Sequence, residues 1–183
     1  MPAFPHAYRQ EVVVVAKTNV KFLIIFVVCF LVSMGSLEIP AARSAIDAAS
    51  RWLVKVSFLA VTTCGGAASI AGDNRTVLLH PTGFGVEMKD GCNGINVTFL
   101  LWSAILAFPS TWKRKLQGLL LGTAAIQGIN IIRFISLYYL IRINRPLFDF
   151  AHEYLWEALI MLDAMVAFGL WVRFSAPKLV PQK

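Results

Sequence analysis

The sequence predicts an all-α polytopic membrane protein: a bundle of four to five transmembrane helices with a small extracytoplasmic β-hairpin. Three observations carry this expectation. Apolar residues make up 57% of the 183-residue chain and charged residues only 15%, whereas a soluble domain carries about 25% charged residues to solvate its surface. The apolar residues fall in long runs, several near the roughly 20 residues that cross about 30 Å of hydrocarbon. A single long polar stretch, 73–91, interrupts them. A net charge of +7 would suggest nucleic acid as the partner of a soluble basic domain. Here the basic residues cluster between apolar runs, which is the pattern of membrane topology, so the expected partner is the lipid bilayer and not nucleic acid.

The chain divides into 1–40, 41–72 and 73–183. The first part ends in VKFLIIFVVCFLVSMGSL, residues 20–37. A signal peptide would have a shorter apolar core and a small-residue cleavage site directly behind it. Glu38, Ile39 and Pro40 follow instead, so this run reads as a retained helix. From Pro40, Arg43, Asp47, Arg51 and Lys55 recur every four residues and line one helical face. That amphipathic stripe runs into 52–72, long enough to span but diluted by Thr, Gly and Ser, which crosses the bilayer or lies in its interface. In 73–91, TVLLH and FGVEM flank a Pro-Thr-Gly turn signal, the composition of a hairpin. Three further apolar runs, 95–108, 116–141 and 152–174, complete a count of four spans plus the doubtful 52–72.

Orientation follows from Lys and Arg near helix ends, which stay in the cytoplasm. Lys113, Arg114 and Lys115 form the densest cluster, and Arg173, Lys178 and Lys183 mark the tail. Both belong inside, so the helix that starts near Cys92, and the hairpin before it, lie outside. The basic count is nine inside to seven outside whether or not 52–72 crosses, so it does not place the N-terminal half.

An ionisable side chain inside a spanning segment is costly and is a functional candidate by default. Arg133 is the clearest case. It lies 17 residues past Leu116, about 26 Å at 1.5 Å per residue, which puts it near the outer end of its helix. Thr123, Gln127 and Asn130 form a polar track that faces the bundle, with Arg133 off its edge. The next helix leaves the same outer side with His152 as its first residue, and Cys92, between Gly91 and Asn93, precedes the helix that begins there. Three segments thus deliver a Cys, an Arg and a His to one membrane face. Helix N-terminal N–H groups and a nearby guanidinium favour a thiolate. An imidazole can take or give a proton near neutral pH, and an arginine, which keeps its proton, can stabilise an oxyanion. Together they describe acyl transfer, with Asn93, Asn130 and Glu153 in support.

Plainer readings apply elsewhere. Cys29 and Cys64 read as small apolar residues, and the cysteines lack the C-x-x-C spacing of a redox or zinc site; no metal or cofactor is expected. His80, beside Pro81, reads as a surface residue. Glu153 and Glu157 suit the first turns of a helix, and either could orient His152. Asp163, on the face of His152 and Trp156, is expected to bond within the bundle.

The strings GCNGINV (91–97), AFPSTWKRKLQGLLLG (107–122), NIIRFISLYYL (130–140) and FDFAHEYLWEALI (148–160) resemble, in order and spacing, the exosortase/archaeosortase family of membrane-embedded cysteine transpeptidases, most closely the exosortase H subgroup. The resemblance covers roughly 66–171. It implies an enzyme of a bacterial inner membrane with its site on the periplasmic side. Its partners would be exported proteins bearing a C-terminal sorting signal: a short motif, a transmembrane helix and a basic tail. By that resemblance Cys92 is the nucleophile, His152 the acid/base and Arg133 the transition-state stabiliser. The tail is released, and the acyl-enzyme passes to an acceptor amine or to water. The sequence departs from many exosortases in lacking their extra N-terminal helices and in placing Asn96 where C-S-G-L-R forms carry Arg, which leaves the recognised motif open. Two other classes stand beside this reading. A non-catalytic transporter or assembly subunit accounts for an intramembrane Arg but gives no reason for Cys92 to lie opposite His152. A thiol oxidoreductase would need paired cysteines.

Overall fold

The computed structural model describes residues 6–175, with side chains from 19 onward. Helix α1 (His6–Ser36) carries the first apolar run. Phe22, Phe26 and Phe30 stack along one of its faces, with centroids 6.2 and 6.3 Å apart. Leu23, Ile24, Leu31 and Val32 stand exposed on α1, as side chains do that lipid will cover. A tight turn over Leu37–Ile39 leads into α2 (Pro40–Thr63), whose first residue is a proline, the position where its missing N–H costs nothing. Ser50, Leu53, Val54, Ser57 and Val61 are buried at helical spacing, while Arg43, Asp47 and Lys55 are exposed.

The expected span over 52–72 does not form as a single helix. Helix α2 ends at Thr63, where the hydroxyls of Thr62 and Thr63 bond back to carbonyls of the preceding turn. Gly65 then takes a φ of +80°, and the chain turns into a strand. Strands β1 (Ser69–Ala71), β2 (Val77–Leu79) and β3 (Gly85–Glu87) make an antiparallel sheet in the order β1-β2-β3. Where the sequence suggested two strands, the structure has three, the first drawn from the end of the supposed membrane run. Leu78 pairs with Val86, and both are buried.

Helix α3 (Ile95–Ala107) follows, then α4 (Trp112–Ile143), α5 (Arg145–Phe150), a π-helical turn over Ala151–Leu155 and α6 (Trp156–Ser175). Among the described residues, three helical stretches are long and apolar enough to cross a membrane: Asn19–Ser36, Trp112–Ile143 and the run Arg145–Ser175. Helix α3 has 13 residues, about 20 Å, short of a hydrocarbon core of about 30 Å.

Among the described residues, two apolar clusters hold the fold together. The first joins Leu53, Val54 and Val61 of α2 to Leu78 and Val86 of the sheet and to Phe134, Leu137 and Tyr138 of α4. Helix α2 therefore packs with the sheet on the second half of α4. The other cluster, Leu101, Ile105, Ile126, Ile160 and Ala164, lies between α3, α4 and α6. At the far end of the bundle Trp171 Nε1 donates to the Arg114 carbonyl (2.8 Å) and Arg114 to the Ser175 carbonyl (2.7 Å). Lys115 donates to the Leu106 carbonyl, and Lys21 of α1 lines a cavity with Leu106 and Lys115. The basic residues 21 and 113–115 thus share one end, opposite Cys92.

Close packing on α4 depends on two glycines. A Cβ at Gly118 would lie 2.4 Å from the Trp171 indole nitrogen, and one at Gly122 would lie 2.5 Å from Leu101 Cδ2. This is small-residue packing between membrane helices. Gly122→Val is expected to destabilise the bundle by about 1–3 kcal/mol, the usual cost of overpacking. Thermal melting of the purified protein in detergent reads it, and an unchanged midpoint would show that α3 yields freely.

Candidate active site

Cys92 sits in the turn ahead of α3, two residues before Gly94, the N-cap. Gly94 takes a φ of +72°, and a Cβ there would lie 3.4 Å from the Asn130 side-chain nitrogen, so both conformation and space favour glycine. Asn93 is 2% exposed. Its Oδ1 accepts from the Ile95 N–H (3.2 Å) and its Nδ2 donates to Ser50 Oγ (3.3 Å), which ties the cysteine turn to α2.

Arg133 and His152 converge on the sulfur. The guanidinium NH2 of Arg133 donates to Cys92 Sγ at 3.8 Å, and His152 Nε2 lies 3.7 Å from the same atom. The imidazole can accept the thiol proton there or, once it holds that proton, donate to the thiolate. Arg133 is 7% exposed, and among the described residues no carboxylate pairs with it. The Cys92 sulfur is the side-chain acceptor that the Arg133 guanidinium reaches, and a cation buried without a counter-charge is costly. The three side chains open into a pocket of about 340 Å³ that Glu153, Glu157 and Ile160 also line.

Arg133 stands toward the later end of α4, as expected, with ten residues beyond it to Ile143, where the helix packs on α2 and the sheet. The other positions differ from expectation in two respects. His152 is not the first residue of the last helix but lies inside the π-helical turn, a local widening often found at functional sites. Glu153 lines the pocket but is exposed, and no hydrogen bond joins it to His152. Orientation comes instead from Phe148, one turn earlier, whose ring stacks on the imidazole with centroids 5.7 Å apart and planes at 14°. Arg145 lies over the Phe148 ring at 5.4 Å and is held by Asp149 at 3.2 Å.

The polar track on α4 faces α3. Thr123 accepts from Trp102 Nε1 (2.8 Å), and Gln127 donates to Thr98 Oγ1 (3.3 Å). Asn130 is 1% exposed, and neither of its amide atoms has a hydrogen-bond partner. It supports the cysteine turn by packing beneath Gly94 and makes no hydrogen bond to Cys92. Asp163, expected to bond within the bundle, has a buried Oδ2 without a partner. None of the three cysteines forms a disulfide.

His80 is buried, not a surface residue, at 9% exposed. Its ring packs 6.2 Å from Tyr138, and Nδ1 accepts from the Thr82 N–H at 3.1 Å, a bond that requires Nδ1 to be unprotonated. Burial, and secondarily the charge of Arg142, hold its pKa below the ordinary 6.5. The unfolded chain thus binds this proton more readily than the folded one, so stability is full above about pH 6.5 and falls as pH drops through that value. Melting of the native protein and of His80→Asn at pH 7.5 and 5.5 checks this. The native midpoint is expected to fall further than that of the variant, and equal falls would exclude His80 as the source.

Ser50 and Phe148 were not picked out from the sequence. A serine and a phenylalanine in apolar helices carry no signal of their own; only the fold brings them to Asn93 and His152. Comparison of the chain with protein-family models, with curated proteins and with solved structures finds no match.

Proposed function

We propose that the protein is an exosortase-like membrane cysteine transpeptidase, and the observation that carries this is the meeting of His152 Nε2 and Arg133 NH2 on Cys92 Sγ at 3.7 and 3.8 Å. His152 takes the thiol proton, and the sulfur attacks a peptide carbonyl. Arg133, the nearest cation, stabilises the oxyanion of the tetrahedral intermediate. The imidazolium then gives its proton to the departing amine as the C–N bond breaks, leaving a thioester on Cys92. An acceptor amine or water attacks the thioester, with His152 taking the proton from the incoming group.

In this reading the enzyme lies in a bacterial inner membrane, with the basic end in the cytoplasm and the site on the periplasmic side. The grouping of Lys21 with the 113–115 cluster supports that orientation. Four passes fit it, with α3 completing its crossing through the flanking turns and α2 and the sheet lying outside. Substrates are exported proteins whose C-terminal signal consists of a motif, a transmembrane helix and a basic tail.

The test pairs the protein in membranes with a reporter carrying such a signal and follows tail release by mass, before and after alkylation with iodoacetamide. Untreated protein is expected to release the tail and the alkylated protein to release none. Stable insertion without cleavage across all candidate signals would move the transporter or assembly-subunit reading ahead.

A further inference from the structure

At the end of the bundle away from Cys92, α3, α4 and α6 leave a groove of about 390 Å³ between them. The geometry points to a binding site for one anionic phospholipid, its phosphate at Arg114 and one acyl chain along the groove. This goes beyond the catalytic reading and does not depend on it.

The walls are apolar and the mouth is cationic. Helix α4 contributes Gly118, Gly122 and Ala125, α3 contributes Leu101, and α6 contributes Leu170 and Phe174. The two glycines let Trp171 and Leu101 pack close against α4 at the base of the groove. Arg114 and Gln117 stand on the same lining, nearer the start of α4. Arg114 spends one N–H on the Ser175 carbonyl, and among the described residues it pairs with no carboxylate. Lys113 beside it is exposed. A guanidinium with unused donors, flanked by lysines where an apolar groove opens, is complementary to a phosphate that carries acyl chains. Trp112, exposed, and Trp171, bonded to the Arg114 carbonyl, mark the same level, where indoles sit at a membrane–water interface.

Length separates a lipid from a helix as occupant. From Arg114 to Ala125 is 11 residues, about 16 Å along α4, close to one leaflet of a hydrocarbon core about 30 Å thick. A groove of that depth takes an acyl chain from the headgroup level to the midplane. A transmembrane helix would need twice the length.

Native mass spectrometry of the delipidated protein in detergent, titrated with phosphatidylglycerol or phosphatidylcholine of the same acyl chains, tests the assignment. Phosphatidylglycerol is expected to be retained about tenfold more strongly, and Arg114→Gln to weaken its retention roughly fivefold, the effect of one basic residue at a lipid surface. Ala125→Phe, which fills the groove from an exposed position, abolishes retention. Ala124→Phe, one residue away and outside the groove, leaves retention unchanged. Equal retention of the two lipids overturns the proposal, as does native-like retention by Ala125→Phe, or a lysine-tailed transmembrane peptide that binds the groove where phosphatidylglycerol does not. If melting shows that Ala125→Phe does not fold, the comparison of the two lipids and the Arg114→Gln variant decide.

Discussion

Replacing Cys92 by alanine is expected to abolish tail cleavage while leaving the bundle folded. Among the described residues that line the pocket, the thiol is the only nucleophile within reach of both His152 and Arg133. Where a nucleophile and its base act as a unit, removing the nucleophile costs about 10⁶-fold in rate. The structural cost is small: Cys92 is half-buried, and loss of its sulfur changes stability by on the order of 1 kcal/mol. Tail release by the native protein and the variant, measured beside their melting midpoints, separates the two effects. A folded Cys92→Ala that still cleaves would remove the thiol from the mechanism. His152→Ala should lose nearly as much, because in such a unit removing the base costs about as much as removing the nucleophile.

Arg133→Met should uncouple activity from stability. The guanidinium is buried and, among the described residues, has no carboxylate to offset its desolvation, so an apolar residue of similar length relieves a cost. The melting midpoint is expected to hold or to rise by the equivalent of about 1–2 kcal/mol. Cleavage should fall by about 10²–10³-fold, as it does when an oxyanion donor is removed. Arg133→Lys keeps the charge but loses the planar fork and should fall between the two. A variant that melts lower but cleaves normally would make Arg133 a structural residue.

Cys92, Arg133 and His152 were legible in the sequence because each stands out against an apolar background and all three map to one end of three consecutive segments. What could not be read was the detail that depends on packing. The stretch 52–72 has the composition of a span, but Thr62 and Thr63 end the helix by bonding back on it and 69–71 pairs as a strand. Apolar composition alone does not distinguish a membrane helix from a helix and strand that share a core with a small sheet. His80 looked exposed beside Pro81, yet Tyr138, 58 residues away, covers it. Asn93 was legible as a turn residue, whereas its partner Ser50 lies 43 residues earlier and has nothing to distinguish it. The end of α4 was legible to within two residues, the apolar run stopping at Ile141 and the helix at Ile143, but not that its last ten residues pack on α2 and the sheet.

That overhang would fix the height of the proposed chemistry. From Trp112 to Arg133 is 21 residues, about 32 Å of helix, against a hydrocarbon slab about 30 Å thick. With Trp112 at the inner surface, as proposed, Arg133 would ride at the level where acyl chains give way to headgroups, and the sulfur it touches would ride there too. A substrate anchored by its own helix would meet the thiol at the same elevation, so the bilayer itself would act as a ruler. The peptide bond offered for cleavage would be chosen by its distance from the lipid surface before any side chain is inspected. Lengthening a substrate's anchor by one turn, or thinning the membrane around both proteins, would carry a different bond to the sulfur.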